Sequence, residues 1–157
     1  MRTAAGLILL LSLAACSKHE PAPPAVTPAP PPLTAPAAVP AATLTKEGAA
    51  LFENTCATCH MIDGSGVPYL QPAIAGSALI SNADPQYLLT LILRGSPSLG
   101  DGAKAYENDM PPLDHLTDAE IATLATYVRL RFAAVPITKP VTPPEVAVAR
   151  ARPGMPQ

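Results

Sequence analysis

The sequence predicts a small all-α domain set between two proline-rich tails. Three observations carry this. Helix-starting and helix-stopping residues punctuate residues 43–134. Proline concentrates outside that stretch, with nine of the 21 prolines in 17–42 and six in 135–157. The pentapeptide Cys56-Ala57-Thr58-Cys59-His60 closes the first helical stretch. C-x-x-C-H is the attachment signature of a c-type haem. Positions i, i+3 and i+4 share one face of a helical turn. Both thiols can therefore reach one haem edge while the imidazole that follows points at the iron. A domain of about 92 residues buries a modest core, which one covalently bound haem would enlarge.

The N-terminus reads as a targeting segment, residues 1–15. Arg2 supplies the positive start and Ala4 to Leu13 form the apolar run, too short for a membrane-spanning helix. Leu13-Ala14-Ala15-Cys16 resembles the lipobox of bacterial lipoproteins, in which cleavage precedes an acylated Cys. That resemblance makes Cys16 a lipidation site anchoring the chain to a bacterial membrane from the periplasm. Ser17 favours the outer membrane. An ordinary secretory signal with an incidental Cys is the alternative. With Cys16 so used and the other two cysteines on haem, no disulfide is expected. Residues 16–42 then form a linker too poor in large apolar groups to make a core, favouring extended polyproline II. The tail 135–157 reads as disordered.

The first helix is expected over Lys46–Thr55, with Gly48 and Phe52 at i, i+4 spacing. Asp84 as N-cap and Pro85 as first residue open the second, whose run Tyr87 to Leu93 is apolar and which Gly95 ends. Thr117-Asp118-Ala119-Glu120 is a capping box opening the third, which runs to about Arg131. Ile121, Leu124, Tyr127 and Val128 supply its buried stripe. The loops 61–83 and 95–116 are long for so small a domain, a feature usual in functional loops.

Residues 45–132 resemble a class I, single-haem cytochrome c, particularly the domains found with bacterial periplasmic dehydrogenases. Gly48 and Phe52 match the Gly and aromatic that the family packs on its last helix, here against Leu124 and Tyr127. Gly64-Ser65-Gly66-Val67-Pro68 and Gln71-Pro72-Ala73-Ile74-Ala75-Gly76 match the loop after the haem motif. The resemblance implies a cytochrome c-like fold around one haem c, with thioethers at Cys56 and Cys59 and His60 as one axial ligand. It implies that the Pro72 carbonyl accepts the His60 Nδ1–H, which would raise ligand basicity. It implies a Met as second axial ligand, and Met110-Pro111-Pro112 fits. Met61 adjoins His60, Met155 lies in the tail and Met1 leaves with the signal. His115 is the rival. Arg94 is a candidate for neutralising a haem propionate, with a helix C-terminal charge on the macrodipole as the alternative.

His/Met ligation raises the reduction potential and leaves no open position for a substrate. No Gly-rich phosphate loop or Ser/His/Asp grouping is present, so no catalytic residues are assigned and an electron carrier, not an enzyme, is expected. Residues 43–134 hold five basic and ten acidic side chains, which disfavours nucleic acid and suits a neutral or basic redox partner. The expected partners are a dehydrogenase and another cytochrome or oxidase, with no small-molecule substrate. Other readings are a haem-based sensor with a displaceable sixth ligand, a thiol-redox pair, and a zinc site from Cys56, Cys59, His60 and His115.

Overall fold

Helix α1 (Ala41–Thr55) begins earlier than Lys46, because Ala41 and Ala42, strong helix formers following Pro40, extend it. The computed structural model describes residues 41–154. The signal segment 1–15, Cys16, the linker up to residue 40 and Met155 lie outside the described residues. The linker as read from sequence therefore loses its last two residues to α1. Five helices follow: α2 (Ala57–His60), α3 (Ala78–Ser81), α4 (Gln86–Arg94), α5 (Asp118–Phe132) and α6 (Pro143–Ala151). A 3₁₀ segment, Ser96–Ala105, follows α4. Among the described residues there is no strand, only an isolated bridge between Val67 and Gln71.

The principal crossing is α1 on α5. A Cβ on Gly48 would lie 2.4 Å from Tyr127 Cβ and 2.9 Å from the Thr123 carbonyl, so only glycine allows this approach. Phe52 is fully buried one turn on, its ring centroid 5.7 Å from that of Tyr127 and 5.0 Å from that of Phe132. The expected packing of Gly48 and Phe52 on the last family helix is what forms.

The helix punctuation is close to that expected. Asp84 Oδ1 accepts the Gln86 N–H at 3.0 Å, so Asp84 caps α4 although the helix proper starts one residue late. Gly95 ends it at φ 73°. The Thr117 capping box is complete: Thr117 N–H donates to Glu120 Oε2 at 2.8 Å, and Glu120 N–H to Thr117 Oγ1 at 3.3 Å. Hydrogen bonds from the Thr117 side chain and backbone hold the Glu120 carboxyl below its usual range.

The C-terminal segment corrects the sequence reading. Residues 143–151 are the helix α6, packed on α4 and α5, and not a disordered tail. Val146 and Ala149 are completely buried, and Val141 nearly so. Thr142 and Glu145 make a second capping box, with Pro143 at the first helical position. Gln86 Nε2 donates to the Glu145 carbonyl at 3.0 Å, and the Val141 N–H donates to Thr126 Oγ1 at 2.9 Å. This packing explains why α5 is buried beyond its expected stripe, at Ala122, Ala125 and Thr126. Arg129 is also buried, and donates to the carbonyls of Asn82 and Ala83 at 2.5 and 3.2 Å.

Burial pushes the Glu145 carboxyl up, but hydrogen bonds from the Thr142 side chain and backbone, then Lys139, outweigh it and hold the group below its ordinary value of 4.5. A depressed folded value means that this stability is fully present above pH 4.5 and is lost as pH falls through the lower folded value. Glu145→Gln, which keeps the capping box but removes the charge, should therefore cost about 0.5 kcal/mol at neutral pH, and the gap from wild type should close on acidification. Denaturation midpoints measured across that range check this.

Candidate haem site

The C-x-x-C-H segment folds as one helical turn set directly on the end of α1. Cys56 N–H donates to the Phe52 carbonyl at 2.8 Å, and the N–H groups of Cys59 and His60 donate to the Cys56 carbonyl at 3.1 and 2.9 Å. The turn stops at Met61, whose φ is 61°. Cys56, Cys59 and His60 therefore share one side, as the spacing predicts, and all three line a cavity of roughly 310 Å³. That is within the size range of ligand sites. Phe52 and Leu124 at the helix crossing, Leu88 and Ile92 of α4, and Pro72 and Met110 from the two long loops complete much of its wall.

His60 Nδ1 lies 3.0 Å from the Pro72 carbonyl oxygen. A carbonyl can only accept, so Nδ1 carries the proton and Nε2 is left with a lone pair for a metal. Gly66 sets this carbonyl. Its φ is 64°, and a Cβ there would stand 2.6 Å from the Pro72 carbonyl carbon and oxygen. The Gly66 N–H in turn donates to the His60 carbonyl at 3.1 Å.

Met110 is half-buried in the same cavity wall. Its loop is tied back to the end of α4. Ser96 N–H donates to the Met110 carbonyl at 3.0 Å, and Met110 N–H donates to Ser96 Oγ at 2.8 Å. At Gly95 a Cβ would stand 2.3 Å from the Met110 carbonyl oxygen, so glycine is needed here for both φ and space. Further on, Leu113 N–H donates to the Ile92 carbonyl at 2.9 Å. Ser96 is not legible in the sequence as a site residue. A serine just past a helix-ending glycine carries no distinctive signal.

Other candidates lie elsewhere. His115 is exposed and lies outside the cavity wall. Among the described residues no three of His, Cys, Asp and Glu gather as a metal-ion ligand set, so the zinc arrangement does not form. Arg94 does not reach the cavity either. Its guanidinium donates to the carbonyls of Arg150 and Arg152. The physical reason is α6: its last carbonyls lack intrahelical partners and accept the nearest cation. Burial, then the nearby Cys59 thiol, pushes the Cys56 thiol up to about 11. It is protonated at neutral pH, the opposite of the acid-shifted thiolate that disulfide exchange needs.

A thiol pair, an imidazole with a free Nε2 and a thioether, all on one apolar cavity, suit one haem. The family model described as Cytochrome c matches residues 45–130, more than half of the sequence. The chain belongs to the cytochrome c family. Over 94 residues it is 35% identical to the fructose dehydrogenase cytochrome subunit of Gluconobacter japonicus, covering 57% of this chain and 19% of that protein. Over 85 residues it is 33% identical to the alcohol dehydrogenase (quinone) cytochrome c subunit of Gluconobacter oxydans, covering 52% and 17%. A nicotinate dehydrogenase component of Pseudomonas putida is 33% identical over 110 residues, covering 68% and 9%. The chain thus spans less than a fifth of the length of these relatives. Membership of the family entails covalently bound haem c and implies electron transfer. Bound in this cavity, the haem would supply a one-electron couple, while the chain supplies attachment, ligands and exclusion of water.

If Cys56 and Cys59 form the thioethers, replacing both by Ser should leave no haem on the chain after denaturation. Intact-protein mass spectrometry should show wild type heavier by one haem and the double variant without it.

Proposed function

We propose that this cytochrome c carries single electrons from a periplasmic dehydrogenase to a respiratory acceptor, through a haem ligated by His60 and Met110 and tethered to the membrane by lipid on Cys16. The observation that carries the ligation is the placement of His60, with Nδ1 engaged at 3.0 Å by Pro72, and of Met110 in one cavity with both motif cysteines. His60 Nε2 would take one axial position and the Met110 sulfur the other. Such a closed iron changes charge without binding substrate, and a thioether ligand raises its potential.

Support for a dehydrogenase donor comes from the relatives, which are cytochrome subunits of a fructose and a quinone-type alcohol dehydrogenase. Charge bears on the encounter. Residues 41–154 hold eleven acidic and eight basic side chains, because the C-terminal segment returns Lys139, Arg150 and Arg152 to the domain. The net field remains negative and suits a partner with a basic face. Such encounters need only a small interface, below about 1,200 Å². Membrane attachment rests on the lipobox-like Leu13-Ala14-Ala15-Cys16.

Met110→Ala should abolish the far-red charge-transfer band of the ferric protein, lower its reduction potential and let the reduced form bind carbon monoxide. A variant that keeps the band would refute Met110 as ligand. Cys16→Ser should stop incorporation of labelled fatty acid and move the protein from the membrane to the soluble fraction. Unchanged labelling would refute the anchor.

A further inference from the structure

We propose that Arg150, at the end of α6, is a positioning residue for the Met110 loop, so that the C-terminal segment governs how readily the sixth ligand leaves the iron. This inference rests on the His60/Met110 ligation argued above.

The loop from Met110 to Thr117 has ties at three places. Ser96 holds its start and the Ile92 carbonyl holds its middle through Leu113. Arg150 closes its end. Nη1 donates to the Asp114 carbonyl at 2.9 Å, Nη2 to the Leu116 carbonyl at 2.8 Å, and Nε to Asp118 Oδ1 at 2.9 Å. One guanidinium thus spends three N–H groups on this loop and the first residue of α5. The planar fork of Arg suits this three-way contact, which the single ammonium of Lys cannot copy.

Arg150 is itself held. Val146 and Ala149 bury the α6 face completely, and Gln86 donates to the Glu145 carbonyl. Arg94 donates to the carbonyls of Arg150 and Arg152. It is the residue before Gly95, against which the Met110 carbonyl packs. The contacts therefore run in a ring: Arg94 and Gly95 to Met110, along the loop to Asp114 and Leu116, and through Arg150 back to Arg94. In a haem-bound chain, opening part of this ring would free the Met110 backbone and so ease displacement of its sulfur from the iron. Local opening costs what the broken contacts contribute, which need not track global stability. Arg150 lies outside the residues 45–130 that the family model matches, so the closing contact comes from beyond the matched segment.

Imidazole binding to the full-length ferric holoprotein reads this opening, because imidazole reaches the iron only after Met110 leaves. Stopped-flow rates and denaturant unfolding would be measured for wild type, Arg150→Gln, Arg150→Lys, Met110→Ala and Leu51→Ala. Leu51 packs against the core outside the cavity wall and serves as a purely structural comparator. The expected result is an imidazole rate about tenfold faster in Arg150→Gln and about threefold faster in Arg150→Lys. Leu51→Ala should stay within about twofold of wild type even where its unfolding midpoint falls as far. If Arg150→Gln does not accumulate as holoprotein, Arg150→Lys against Leu51→Ala decides alone. Rates unchanged in the Arg150 variants, or raised equally in Leu51→Ala at equal loss of stability, would overturn the proposal. Wild type binding imidazole as fast as Met110→Ala, with no charge-transfer band, would instead sink the ligation itself and the proposal with it.

Discussion

The close approach of α1 and α5 at Gly48 is the constraint on which the rest depends. A methyl group there would overlap both the Tyr127 side chain and the Thr123 carbonyl. With the backbones this near, Phe52 enters fully between Tyr127 and Phe132, and its ring also forms part of the cavity wall. The haem-binding turn follows within four residues of Phe52 and makes its first hydrogen bond to the Phe52 carbonyl. The direction in which Cys56, Cys59 and His60 point is therefore set by how α1 lies on α5. A core that transmits small displacements this directly is what close packing predicts.

Each ligand candidate is then aimed by a glycine. Gly66 lets the Pro72 carbonyl come up to His60 Nδ1, and Gly95 lets the Met110 carbonyl come up to the end of α4. Both sit at positive φ, where a side chain would be strained as well as crowded. The long loops are thus not loose at the points that matter. They are also joined to each other, since Glu107 and Asn108 donate to the carbonyls of Tyr69 and Leu70 at 3.0 and 3.2 Å. Rigid placement of both candidate ligands would suit an electron carrier, because reorganisation at the metal slows transfer.

Among the C-terminal residues, composition misled where local pattern did not. Six prolines in 135–157 suggest a chain without a core. Yet Thr142-Pro143-Pro144-Glu145 carries the same start signal as Thr117 to Glu120, with proline where helices accept it. A count of prolines does not register that signal, because it lies in the order of four residues and not in their composition. Its consequence reached the site, since α6 draws Arg94 away from the cavity and places Arg150 on the Met110 loop.

By itself the sequence determined the haem motif, the three principal helices, the glycine crossing and the pairing of Pro72 with His60. The motif and the helices follow from residues close in sequence and from backbone periodicity, whereas the glycine crossing and the pairing of Pro72 with His60 are what the resemblance to class I cytochromes c implies. Only the tertiary structure decided where Arg94 and Arg150 spend their hydrogen bonds and why Gly95 must be glycine. It also decided that Ser96 holds Met110. Those contacts join segments up to 58 residues apart. Long side chains such as arginine take whichever unsatisfied carbonyls the packed helices bring within reach, and no local spacing specifies which those are.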